Sequence, residues 1–167
     1  MAHGTESGSK TLRGNASQFF VAGELCRRGL IAVITMGNCP NTDILVSNVG
    51  GTEFAHVQVK TFVPGNRTCS VGEKAEKPYG KNFYWVVAGI PERDSKAPFQ
   101  FYVIPAEVMS AKTLEVHKKW LETPGKKGQK HKPTKMRTVH LPPGKNRCGW
   151  SIDEYRDRWD LIENCVR

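Results

Sequence analysis

Five short apolar runs punctuate the chain, at residues 31–36, 42–47, 53–63, 82–89 and 98–104, each rich in β-branched or aromatic side chains. Gly, Pro or Asn bounds every one of them, and the pattern predicts strands rather than buried helices. Asn48-Val-Gly-Gly is turn chemistry, so the second and third strands form an antiparallel hairpin. Helical patterns flank this set. Residues 15–28 carry Asn15 as N-cap, Gln18 where a capping-box partner reaches back, and Gly29 just past the end. Pro105 suits the first turn of a helix over 106–109, which continues through 112–122. A last helix starts at Ser151, with Glu154 three residues on and Tyr155, Trp159 and Ile162 along one face. Residues 64–81 read as an irregular connection and 136–141 as a short extra strand. The order predicts an α/β (α+β sandwich) fold, a central mixed sheet of about five strands flanked by helices.

A length of 167 residues suits one compact domain. Residues 1–14 read as a disordered or flexible N-terminus, and 15–167 as a single domain with a basic loop insertion at 123–150. The longest apolar stretches, 31–36 and 99–106, are too short to span a bilayer, and residues 1–10 lack the apolar centre of a signal peptide. The five cysteines are odd in number and scattered, without a Cys-x-x-Cys pair, which argues against a disulfide scaffold or structural zinc. The expectation is a cytoplasmic protein that does not enter a membrane.

The chain holds 25 Lys and Arg against 16 Asp and Glu, a net charge of +9. Eight of those cations, Lys126, Lys127, Lys130, Lys132, Lys135, Arg137, Lys145 and Arg147, lie within 123–150, where there is no acid at all. The remainder is nearly balanced, at 17 positive against 16 negative. A run of like charge can be a solvated loop. Clustered on one Pro- and Gly-bearing segment, it is also the electrostatic footprint of a clamp on a nucleic-acid backbone.

Four polar residues interrupt otherwise apolar elements: Glu24 in the first helix, Asp43 at the start of the second strand, and Gln58 and Lys60 in the third. Strand side chains alternate, so Gln58 and Lys60 share a face that Val57 and Val59 do not. The hairpin folds them back beside Asp43. A carboxylate, an amide oxygen and waters are the hard ligands that Mg²⁺ takes, and a neighbouring ammonium can orient water and stabilise developing negative charge. Singly, each has a plainer reading. Glu24 is also a helix carboxylate placed to pair with Arg27 or Arg28, Asp43 a turn-capping residue, and Gln58 and Lys60 the solvated face of an edge strand. His56 shares the Gln58 face. The aromatic series Phe83, Tyr84, Trp85, Phe99, Phe101 and Tyr102 reads as core, with Tyr84 or Tyr102 left nearest the surface.

The order helix-Glu, strand-Asp, hairpin, strand-Gln-x-Lys resembles the PD-(D/E)XK nuclease superfamily, which includes Holliday-junction resolvases, restriction enzymes and some homing endonucleases. The likeness runs from Gly14-Asn-Ala-Ser-Gln-Phe-Phe-Val-Ala-Gly-Glu-Leu-Cys-Arg-Arg-Gly-Leu through Asn41-Thr-Asp-Ile-Leu-Val to Ala55-His-Val-Gln-Val-Lys-Thr. It implies a metal-dependent DNA endonuclease with its site at the end of the central hairpin. Asp43, Gln58 and Glu24 would hold Mg²⁺ or Mn²⁺, and Lys60 would act on the nucleophilic water. It also implies a homodimer, since cutting both strands takes two sites. Gln58 is the departure, because most of the superfamily has Glu or Asp there; some small endonuclease branches have Gln. Gln58 is equally what a non-catalytic nucleic-acid-binding or protein-interaction module on the same fold would carry.

Overall fold

The computed structural model describes residues 5–36 and 39–167. Its elements, in chain order, are α1 (Thr5–Arg27), β1 (Ile31–Ile34), β2 (Ile44–Ser47), β3 (Phe54–Phe62) and β4 (Thr68–Ser70). A 3₁₀ turn (Glu73–Glu76), β5 (Phe83–Gly89), β6 (Gln100–Pro105) and α2 (Ala106–Glu122) follow. Then come β7 (Thr138–His140), a second 3₁₀ turn (Ile152–Tyr155) and α3 (Asp160–Cys165). The main sheet has five strands in the order β1-β2-β3-β5-β6, as the apolar runs predict. It is mixed: β3 and β5 are parallel, and every other neighbouring pair is antiparallel. No helix among the described residues is long and apolar enough to cross a membrane.

Alternation along β3 sorts the core into two layers. Ala55, Val57 and Val59 pack with Val21 and Leu25 of α1 and Trp159 and Ile162 near the C-terminus. Phe62 packs on the other side with Trp85, Val87, Tyr102, Met109, Val139, Leu141 and Ile152. His56, Gln58 and Lys60, in phase with Phe62, therefore belong to this second face. β5 is buried along its whole length, as a central strand covered on both sides must be. At its end a Cβ on Gly89 would come within 2.6 Å of the Phe62 ring, so glycine is required there.

Four local expectations are corrected. α1 begins at Thr5, so residues 5–14 are helical and Asn15 lies inside the helix, exposed, rather than capping it; residues 1–4 lie outside the described residues. Nothing in Lys10-Thr-Leu-Arg opposes a helix, and the capping signature at Asn15 is a pattern that polar helix interiors also contain. The C-terminal end is as expected: Gly29 adopts φ 84° and the Leu30 N–H reaches the Leu25 carbonyl at 3.2 Å. The single helix expected from Ser151 is two pieces. The Ser151 hydroxyl caps the 3₁₀ turn by accepting the Asp153 N–H at 3.2 Å, but Asp157 turns left-handed at φ 52° and donates its N–H to the Phe101 carbonyl at 2.9 Å. A tertiary bond to β6 thus overrides the local pattern. Within 64–81, β4 pairs antiparallel with β7, the short strand expected in 136–141. Tyr84 and Tyr102 are both buried, and Phe99 is the exposed member of the aromatic series.

Candidate active site

Asp43 stands one residue before β2, opposite Gln58, because the hairpin register pairs Ile44 with Val57. Its backbone is held from both sides. Its N–H donates to the Val57 carbonyl at 2.9 Å, and its own carbonyl accepts the Thr35 N–H at 2.9 Å. The Asp43 carboxylate Oδ2 accepts the Val59 N–H at 2.7 Å and the side-chain amide of Gln58. Gln58 is 9% exposed and Asp43 half-buried, so the carboxylate is a partly shielded charge met by two donors.

Lys60 lies two residues further along β3, about 7 Å at strand rise, on the Gln58 face. Its Nζ sits 5.9 Å from the centroid of the buried Trp85 ring, a cation–π contact. No carboxylate pairs with it among the described residues. The neighbouring Cys69 thiol, which reaches the Thr61 carbonyl at 3.6 Å, is pushed up to about 12 by burial, against the opposing pull of the Lys60 charge. It is therefore a buried thiol and no nucleophile at neutral pH.

The loop leading to Asp43 is braced by residues that sequence patterns do not single out as functional. His56 Nδ1 meets the Thr42 hydroxyl at 3.2 Å, and its ring stacks over Phe83. Tyr79 stacks on Phe83 with centroids 4.5 Å apart and donates its hydroxyl to Asn41 Oδ1 at 3.3 Å. Asn41 holds φ 69°, a left-handed conformation that Asn tolerates well. That tolerance is the one signal of the brace in Asn41-Thr-Asp.

Glu24 does not join this group. α1 covers the opposite face of the sheet, and the Ser17 hydroxyl touches that of Thr61 at 2.6 Å, which leaves Glu24 about 10 Å further along the helix axis. Its carboxylate is instead held by Arg27 at 2.7 and 2.8 Å and by Arg28 at 2.8 Å, with Arg28 also bound to Glu163 at 2.8 Å. The plainer reading of Glu24, a helix carboxylate paired with arginine, is the one its contacts match. The Arg27 guanidinium, with that of Arg28, holds the Glu24 carboxyl below its ordinary value. A carboxyl depressed on folding stabilises above its unfolded value and loses that contribution as pH falls through the lower folded one. Glu24→Gln is therefore expected to cost about 1 kcal/mol of stability at pH 7 and nothing at the acid end, by denaturant melts across pH, while any nuclease activity is unchanged.

Arg137 also departs from its expected place. It is 9% exposed, bound to Glu76 and to the carbonyls of Thr134 and Met136 at 2.5 and 2.8 Å, and so fastens the basic segment instead of presenting its charge. The other seven cations, Lys126, Lys127, Lys130, Lys132, Lys135, Lys145 and Arg147, are all exposed. Val139 and Leu141 anchor the segment into the apolar layer of Trp85 and Val87, on the face that carries Lys60.

No protein-family model matches the chain, and no curated protein matches it in sequence. Among solved structures it is similar to a bacterial homing endonuclease, I-Ssp6803I, at 18% identity over 93% of this chain and 95% of that one, with a TM-score of 0.54. Hjc, a Holliday junction resolvase from the archaeal hyperthermophile Archaeoglobus fulgidus, matches at 17% identity over 76% of this chain and 83% of its own, with a TM-score of 0.42. At such identity the first likeness is one of architecture, and by it the chain has a restriction-endonuclease-like fold.

Proposed function

We propose that the chain is a metal-dependent DNA endonuclease that hydrolyses phosphodiester bonds. The observation that carries the reading is the placement of Asp43, Gln58 and Lys60 on one face of the hairpin, with the Asp43 carboxylate and the Gln58 amide in contact. The fold shared with a homing endonuclease supports it. Among the described residues no three His, Cys, Asp or Glu side chains cluster as a metal site. The available donors are the Asp43 carboxylate and, once its amide has turned, the Gln58 oxygen. One carboxylate, one amide oxygen, waters and a substrate phosphate make a set that fits Mg²⁺ or Mn²⁺. When bound, the ion would polarise the phosphate and lower the pKa of a water. Asp43 positions and neutralises, Gln58 supplies an oxygen without further charge, and the Lys60 ammonium holds the attacking water and balances charge building on the phosphate. Glu24, tied to its arginines, has no part in this scheme. Cutting both strands calls for two such sites, hence two copies of the chain.

The seven exposed cations supply the grip on the duplex backbone. Converting Lys126, Lys127, Lys130 and Lys132 together to Gln is expected to lower the slope of log affinity against log salt by about 0.9 for each phosphate no longer neutralised. Fluorescence anisotropy with labelled duplex across a KCl series measures this.

A second reading has its own observation: the Gln58 amide N–H already faces Asp43, which suits a carboxylate that never meets a metal. A non-catalytic DNA-binding module would keep the salt dependence and lack a metal response. Calorimetric titration with Mn²⁺ separates the two. Saturable heat that Asp43→Asn removes supports the endonuclease, and its absence supports the binding module.

A further inference from the structure

Between α2 and the basic segment lies a pocket of about 300 Å³ that has no part in the proposed hydrolytic site. Its walls include Thr113, His117 and Trp120 of α2, and Met136, His140 and Arg147 from the other side. His117 and Trp120 are stacked 5.7 Å apart within 19° of parallel, and the ring stack continues to His131 at 4.1 Å and 22°. Burial, with the nearby Arg137 charge, holds His117 below its ordinary pKa. Thr113 is 4% exposed, and its buried hydroxyl has no hydrogen-bond partner among the described residues. A planar aromatic wall, an orphan hydroxyl, an imidazole and one exposed guanidinium differ from what a packed core needs. They are what an unstacked base uses, since every base offers a π-face and a polar edge. The occupant is indicated by position: the far wall belongs to the segment that bears the seven exposed cations, and one of them, Arg147, lines the pocket itself.

We infer that this pocket receives one unpaired nucleobase of the bound nucleic acid, which extends the His117–Trp120 stack. The inference rests on the DNA-binding reading and gives it a substrate class, DNA that offers an extrahelical or single-stranded base. The test compares a duplex carrying one bulged 2-aminopurine with the same duplex carrying an abasic bulge, each titrated with the full chain across a KCl series. The base-bearing duplex is expected to bind about tenfold more tightly, the usual worth of one stacked base. Val116 also lines the pocket, and Val116→Trp, which fills it, is expected to remove that difference while the slope against salt stays as in the unmodified chain. Equal affinity for the two duplexes, with the salt slope intact, overturns the pocket and leaves DNA binding standing. So does a tenfold preference that survives in a folded Val116→Trp. Absence of any salt-dependent binding overturns both.

Discussion

Lys60→Ala is expected to lower metal-dependent strand cleavage by about a hundredfold or more, the range lost with a group that handles the proton or the developing charge. The fold should barely notice. Lys60 is half-buried, makes no ion pair among the described residues, and gives up only its packing on the Trp85 ring, a cation–π interaction of about 0.5–1 kcal/mol. Lys60→Arg separates charge from geometry. The guanidinium keeps the positive charge but cannot give up a proton and presents a planar fork in place of a compact ammonium, so activity should stay low. Initial rates beside thermal melts check this, and a rate within threefold of the unmodified chain would remove Lys60 from the chemistry.

Asp43 is expected to behave differently, because it holds structure as well as chemistry. Asp43→Ala leaves the Val59 N–H and the Gln58 amide without their acceptor, at a cost of about 1–3 kcal/mol for each donor left buried and unmet. Loss of cleavage in that variant alone would prove little. Asp43→Asn retains an oxygen for the Val59 N–H and removes only the negative charge. It is expected to stay folded and to lose Mn²⁺ binding and cleavage together, by calorimetry and by rate. Full cleavage in a folded Asp43→Asn would mean that the metal is held elsewhere.

The parts of this molecule that local chemistry determines are legible in the sequence. The run from Phe83 to Gly89 is apolar throughout because β5 is covered on both faces. Asn48 marks the hairpin because its side chain closes the turn, its oxygen accepting the Thr52 N–H and its amide donating to the Thr52 hydroxyl, each at 2.9 Å. The register follows, and with it the approach of Asp43 to Gln58. What is not legible depends on partners distant in the chain. β4 is a three-residue strand whose partner β7 lies some seventy residues on, so no window around Thr68 reveals it. Arg137 reads as one more cation in a basic run until Glu76 meets it across the fold. Glu24 carries the right chemistry at a helix position turned toward the wrong side of the sheet, where Arg27 and Arg28 already occupy it. The stack of His117, Trp120 and His131 joins a helix to a loop and has no signature at either.

The central claim is that the Asp43–Gln58–Lys60 face is a metal-dependent nuclease centre. Its most direct test is incubation of supercoiled plasmid with the purified chain in Mg²⁺ or Mn²⁺, beside an EDTA control and Lys60→Ala at equal concentration. Nicked or linear DNA from the unmodified chain alone, abolished by EDTA and absent with Lys60→Ala, is the predicted result. Intact plasmid in every lane, or equal cleavage by Lys60→Ala, would contradict it.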